Sequence, residues 1–120
     1  QGGLSLDKPL EFEHYASGDY RGEVANLSRN VVVESADPKG TRGHTMYHAH
    51  STGSISYAEF RHLGKRDKLG RYSLHFHLVG ETMRGSYVIG ASIWDSHNRW
   101  ITVHGTTVVV PINASTPSGS

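Results

Sequence analysis

Cysteine is absent from this chain of 120 residues, and so are long apolar runs. The absence of cysteine excludes a disulfide scaffold, an iron–sulfur site, a cysteine-ligated zinc site and a thiol nucleophile. No apolar stretch approaches the roughly 18 residues of a membrane span, and no charged segment leads into an apolar one as in a signal peptide. A net charge of +1, with both signs interspersed, argues against nucleic acid as the partner.

Helical periodicity is also missing, and glycine recurs too often for long helices. Short runs rich in β-branched and aromatic residues take its place, and polar turn residues separate them. The alternation of such runs with turns predicts an all-β domain. The runs lie at residues 31–33, 55–60, 72–79, 87–93, 100–103 and 108–110.

Three of these segments resemble one another. Each carries an apolar residue at its first and sixth positions, and the segments start at Leu27, Ile55 and Val88, intervals of 28 and 33 residues. A period of this size favours a β-solenoid of about three to four coils, with a sandwich or a small barrel as the alternative. We therefore expect a lead-in at residues 1–19, a solenoid domain at 20–112 and a flexible tail at 113–120.

Histidine is the residue present in excess, with nine copies against 11 acidic residues. In a strand through residues 74–78, alternation places Leu74, Phe76 and Leu78 in the core and His75 and His77 on the outer face. Two imidazoles spaced in this way can converge on one metal ion.

Two further segments bring imidazoles toward the same face. His44 and His48 share a face in either an extended or a helical segment, with His50 as a possible third member. His104 has the same outward parity as the His75/His77 pair. Three imidazoles with an open position are typical of a catalytic zinc site, whereas a column of hydrogen-bonded imidazoles is the alternative. The remaining three are interpreted as structural: His14, His62 and His97.

Other candidate site residues rest on weaker patterns. Glu59 could act as a general base beside Arg61, although a surface ion pair is the simpler interpretation. Arg71 precedes the His75/His77 pair and could contact substrate, as could Tyr72, which could equally be a packing residue. Two tryptophans could stack on sugars, with core packing as the default: Trp94 and Trp100.

A family resemblance is carried by SISYAEFRHLG (residues 54–64), GRYSLHFHLVG (70–80) and SHNRWITVHGT (96–106), together with GHTMYH (43–48). These segments resemble the region that follows the G8 domain in G8-domain proteins, the family of hyaluronan-binding and fibrocystin-like proteins. The resemblance implies a right-handed parallel β-helix, an extracytoplasmic setting and a link to hyaluronan. It marks five positions of the family pattern: His44, His48, His75, His77 and His104.

From these observations we expect a metal-dependent hydrolase, with Zn²⁺ as the first candidate among divalent metals and a glycan, ester or phosphoester as substrate. The alternative is a noncatalytic module that binds a hyaluronan-type glycan. The G8 domain itself is missing, so the chain resembles a slice of a longer solenoid. Open coil ends predict a homodimer.

Overall fold

The computed structural model describes residues 5–22, 24–107 and 112–115. These residues form ten β-strands and no helix, so none of them lies in a helix that could span a membrane. The strands are β1 (Ala16–Ser17), β2 (Tyr20–Arg21), β3 (Val31–Glu34), β4 (Thr45–Tyr47), β5 (Ile55–Ser56), β6 (Ala58–Arg61), β7 (Leu74–Gly80), β8 (Val88–Trp94), β9 (Ile101–Thr106) and β10 (Ile112–Ser115).

Two parallel sheets make up the body of the molecule. The first sheet has the order β10-β8-β6-β3, with β5 also paired to β8, and the second sheet has the order β4-β7-β9. The chain alternates between the two sheets, and every strand pair in them is parallel. This topology is a parallel β-helix of three coils with a fourth begun by β10. The prediction of an all-β solenoid fragment is confirmed, and the sandwich and barrel alternatives are wrong.

The core lies between the sheets and takes side chains from both. Phe60 and Ile93 from the first sheet and Leu74 and Phe76 from the second are each 4% exposed or less. Tyr47 stacks on Phe76 with ring centroids 5.0 Å apart. This aromatic stack and the aliphatic contacts bury the inner faces of successive coils.

The strand register confirms one of the two predicted intervals. Ile55 lies opposite Val88 and Phe60 opposite Ile93, an offset of 33 residues. In the preceding coil Val33, not Val32, lies opposite Phe60, so that interval is 27 rather than 28. Valine occupies all of positions 31–33, and such a run cannot specify which residue faces the core.

The predicted alternation in β7 holds for Leu74 and Phe76 and then fails. Leu78 is 49% exposed, whereas Val79 is 2% exposed and belongs to the core. The backbone of Leu78 adopts a φ of 51°, which bends the strand, and the pairing with β9 shifts register after His77. Gly105 lies opposite this bend with a φ of 62°, so the left-handed residues stack in neighbouring coils.

Short strands lie at both ends of the described chain. The expected boundary between residues 19 and 20 lies inside an antiparallel hairpin formed by β1 and β2. The first strand of the solenoid begins at Val31. Residues 113–115, expected in the tail, pair with β8 as part of β10. Residues 116–120 lie outside the described residues.

Two glycines with the same backbone conformation allow a matched stability test. Gly64 has a φ of +81° and Gly85 a φ of +80°, but only Gly64 is crowded, since an added Cβ would lie 2.7 Å from Ser96 Oγ and 3.0 Å from Asn98 N. We expect Gly85→Ala to cost about 1 kcal/mol of unfolding free energy. Gly64→Ala should cost roughly 1–3 kcal/mol more, because its methyl group also overpacks the turn. Urea unfolding of both variants measures the difference, and equal losses would contradict the steric explanation.

Candidate metal centre

Parallel pairing in the second sheet stacks imidazoles in a column. His77 of β7 pairs in register with His104 of β9, and their rings are stacked with centroids 5.1 Å apart and an interplanar angle of 10°. His48 follows β4 directly, and its ring centroid lies 5.2 Å from that of His77. His75 lies two residues along β7, with its ring 4.9 Å from His77. His77 is therefore at the centre of the group.

Three of these residues form a compact donor set, called here the histidine cluster: His75, His77 and His104. Each offers a ring nitrogen, and the three nitrogens lie within 4.8 Å of one another. The Nδ1 atoms of His77 and His104 are 3.2 Å apart. Two nitrogens bound tetrahedrally at the usual zinc–nitrogen bond length lie about 3.3 Å apart. The spacing of this pair therefore fits either one N–H···N hydrogen bond or two ligands of one metal ion.

His75 is held from behind rather than exposed on an outer face. It is 3% exposed, which corrects the expectation of an outward side chain, because Gly70 and Tyr72 lie against its ring. Its Nδ1–H donates to the carbonyl oxygen of Gly70 at 3.0 Å, and the ring of Tyr72 lies 4.8 Å away. A carbonyl can only accept, so this bond leaves the Nε2 lone pair of His75 free to bind a metal.

The segment over His75, called here the strap (residues 65–71), is itself fixed by hydrogen bonds. Its two ends are joined by the Lys65 N–H, which donates to the Arg71 carbonyl at 2.9 Å. The side-chain amide of Asn98 donates to the carbonyls of Lys65 and Lys68 at 2.7 and 3.0 Å. Sequence patterns did not indicate the roles of Gly70 and Asn98, since both act through contacts distant in sequence.

The electrostatics favour the neutral form of His77, the central ring of the cluster. Burial lowers the pKa of His77, and positive charge on His75, His104 and His48 lowers it further. A neutral imidazole is the form that binds metal ions.

The other predicted ligands lie at the edge of this group. His48 is in ring contact with His77, but it is not one of the three residues in the donor set. His44 makes no ring contact among the described residues, although burial and then the charges of Arg71 and Lys65 lower its pKa. His50 is exposed in the turn after β4, with a φ of 66°.

A buried hydroxyl group beside the cluster has no hydrogen-bond partner. Thr102 lies opposite His75 in the β7–β9 pairing, and its Oγ1 atom is enclosed without a partner among the described residues. An enclosed hydroxyl without a partner is costly, which points to a water molecule or a ligand atom at this position. Sequence patterns did not single out Thr102.

Glu59 is built into the first sheet instead of the histidine cluster. It is 3% exposed rather than solvent-facing, because its carboxylate accepts from the Arg29 backbone N–H at 3.1 Å and from Trp94 Nε1 at 2.9 Å. Burial alone would raise its pKa, but these hydrogen bonds and the charge of Arg61 outweigh it, and the pKa is lowered. Glu59 is thus an ionised carboxylate with all its contacts inside the scaffold.

Arg71 lies at the exposed end of the strap, close enough for its charge to act on His44.

His62 contacts Trp94 edge-on with centroids 5.3 Å apart and lies 3.5 Å from the carboxylate of Asp95, so it belongs to a corner of the solenoid. His97 lies in the adjoining turn, where its backbone N–H donates to Leu63. Trp100 packs against the core.

The lowered histidine pKa values predict how stability depends on pH. His44 and His77 titrate lower in the folded chain than in the unfolded chain, where histidine has a pKa of about 6.5. Between the two values the unfolded chain binds more protons, so the free energy of unfolding falls as pH falls below about 6.5 and levels off under the folded pKa. Urea unfolding between about pH 7.5 and 5, with a chelator present, should show this loss.

The control for this measurement uses histidines at different places in the fold. The double variant His44→Gln/His77→Gln should flatten the pH dependence, whereas His14→Gln in the exposed N-terminal segment should leave it unchanged. A stability that stays constant or rises on acidification would contradict the assignment.

Comparison with known proteins places this geometry in a family. The family model of the CEMIP beta-helix matches residues 40–114, more than half of the chain. A G8 domain-containing protein of Dictyostelium discoideum is 34% identical over 113 residues, covering 88% of this chain and 8% of its own length. The human cell surface hyaluronidase CEMIP2 is 37% identical over 109 residues, covering 73% of this chain and 8% of its own length.

Mouse fibrocystin-L is 49% identical over 55 residues, which is 46% of this chain and 1% of that protein. The chain thus spans less than a tenth of the length of these three relatives. No solved structure shows a significant match. The match to the family model and the observed parallel coils agree, and the chain belongs to the CEMIP beta-helix family.

Proposed function

We propose that the histidine cluster binds a divalent metal ion, with zinc as the first candidate, and that the chain is part of a metal-dependent hydrolase acting on a glycan. One observation carries the proposal. Three ring nitrogens from two neighbouring strands lie within 4.8 Å of one another, and the ring of His75 is oriented by the Gly70 carbonyl so that its Nε2 is free. Metal-ligating histidines usually donate their other N–H to such a carbonyl.

The chemistry of the donor set selects among metals. The group contains imidazoles and no carboxylate, which suits zinc and other nitrogen-preferring transition metals better than calcium or magnesium. Three protein ligands leave a fourth position open, as in catalytic zinc sites. A zinc ion held there would supply a Lewis acid that polarises the scissile group and lowers the pKa of water.

The residues of the chain then have distinct roles in the proposal. His75 fixes the site to the scaffold from the buried side, whereas His104 is exposed and faces the open side. Thr102 offers a hydroxyl group next to His75 that can hold a water molecule or a substrate oxygen in place. Arg71 stands at the exposed end of the strap, where it can contact an anionic group of the substrate.

The glycan assignment and the location rest on the family. CEMIP2 is named a cell surface hyaluronidase, and it shares 37% identity with this chain over 109 residues. We extend both parts of that name to this chain: hyaluronan or a related glycan as the substrate and an extracytoplasmic location. A small activated ester or phosphoester remains a second substrate class for an open metal site.

Metal analysis tests the proposal most directly. We expect purified protein loaded with zinc and then dialysed to retain about one ion per chain, measured by elemental mass spectrometry. Removing one imidazole ligand with His77→Gln should weaken zinc binding by at least about 100-fold in competition with a chromophoric chelator. The control His97→Gln, from the turn beyond the cluster, should bind like the parent chain.

Activity is measured on the same samples. Cleavage of hyaluronan oligosaccharides, followed by size-exclusion chromatography, should be lost with a chelator and restored with zinc. A protein that binds no metal, or whose activity survives the chelator, would contradict the proposal.

A noncatalytic glycan-binding module is the second candidate. The absence of a carboxylate from the cluster favours it, since glycan hydrolysis usually uses paired carboxylates. It predicts affinity for hyaluronan without turnover, and affinity that survives the double variant His75→Ala/His77→Ala. The two candidates therefore differ in both turnover and sensitivity to the cluster.

We also propose that this chain, studied by itself, forms a homodimer through its edge strands. Among the described residues β3 and β4 each pair on one side only, and Val31 is 56% exposed on that edge. Unpaired parallel edges are templates for another copy. Light scattering at micromolar concentration should give a dimer mass, and Val32→Lys should shift it toward monomer. A parent chain that is strictly monomeric would contradict this.

A further inference from the structure

Four cations lie close together in the sequence of the strap, and the structure brings a fifth beside them. The strap carries Lys65, Arg66, Lys68 and Arg71 against the single acid Asp67, and Arg99 lies over the ring of Tyr72, with 5.4 Å from its guanidinium carbon to the ring centroid. The net charge of the whole chain is only +1. The strap and Arg99 thus form a basic region in a molecule whose other residues are net acidic.

These five cations differ from the arginines of the scaffold. Arg42, Arg61 and Arg84 each form an ion pair with a carboxylate. None of the five cations of the basic region does so among the residues that the structure describes. Lone cations held close together repel one another, and their concentration without counter-charges is a common feature of anion-binding sites.

The basic region is rigid and concave. Hydrogen bonds from Asn98 to the carbonyls of Lys65 and Lys68 hold the strap in shape. A cavity of about 210 Å³ is lined by Lys65, Arg66, Lys68 and residues 40–42, and a neighbouring one of about 370 Å³ by residues 67–69, Tyr72 and 97–99. Both cavities share Lys68 and His97. Adjoining shallow cavities suit an extended polymer that crosses them.

We propose that the strap and Arg99 form a binding site for the sulfate groups of a sulfated glycan. This site uses none of the three histidines of the cluster, shares only Arg71 with the function proposed above and goes beyond that function. Guanidinium groups bind oxyanions through two parallel hydrogen bonds, which suits a sulfate group with several acceptor oxygens. Four of these cations line the two adjoining cavities, which matches a chain with several sulfates better than one whose only charges are carboxylates on alternate sugars.

The surface is less suited to other polyanions. Single-stranded nucleic acid is held by exposed aromatic rings on which bases stack, but Tyr72 next to the strap is only 4% exposed and the strap itself contains no aromatic residue. An anionic membrane is bound by an amphipathic apolar face, whereas the strap exposes only Leu69. A flexible, highly sulfated glycan needs neither feature.

The test uses fluorescently labelled oligosaccharides and the intact chain. We expect a short heparin oligosaccharide to bind with an affinity that falls as salt is raised, measured by fluorescence anisotropy. Arg66→Gln/Lys68→Gln should weaken this binding roughly tenfold. The control Lys8→Gln/Arg84→Gln changes the net charge equally but lies outside the basic region, and it should bind like the parent chain.

Three results would overturn the proposal. The first is an equal loss of heparin affinity in the control variant. The second is a hyaluronan oligosaccharide of the same length that binds as tightly as heparin. The third is single-stranded DNA of similar charge that binds as tightly as heparin. Heparin binding should also persist in the presence of a chelator and in His77→Gln. Failure of the metal centre and failure of this site are therefore separate outcomes.

Discussion

In-register parallel stacking of strands is the constraint on which the rest of the molecule depends. Neighbouring strands lie about 4.8 Å apart, so residues nearly thirty positions apart in the chain are brought into contact whenever they share a register position. In the second sheet this places His77 against His104. In the first sheet it places Arg61 against Glu34, which form an ion pair 2.6 Å long. The same rule thus builds an ionic contact on one side and an imidazole column on the other.

The ion pair and the imidazole column differ in the charge state that stabilises them. Opposite charges in register neutralise each other, so the Arg61–Glu34 pair is complete within the chain and lowers the pKa of Glu34. Identical imidazoles cannot neutralise one another, and they repel when they are protonated. Burial lowers the pKa of His77, and this repulsion lowers it further. A column of this kind is most stable when its rings are neutral. Neutral ring nitrogens are also the form that binds a metal cation.

Much of this arrangement could be predicted from the sequence, and the remainder depended on contacts that local patterns do not encode. Period-two alternation placed His75, His77 and His104 on one face, and the Ile55/Val88 register followed from the repeat. The alternation did not predict that Val79, and not Leu78, would lie in the core, because this depends on a left-handed bend at Leu78 that stacks on Gly105. The burial of Glu59 depends on Arg29 and Trp94, which come from the preceding and following coils.

The strap joins the scaffold to both candidate sites. Its inner side fixes His75, through the Gly70 carbonyl and the adjoining ring of Tyr72, while its outer side carries cations that have no carboxylate partner among the described residues. Asn98 holds the strap through two backbone carbonyls and comes from the same turn as Arg99. Because His75 is enclosed and His104 is exposed, the cluster is open on the side of β9. One hydrogen-bonded segment can thus orient a metal ligand on its inner side and present positive charge on its outer side.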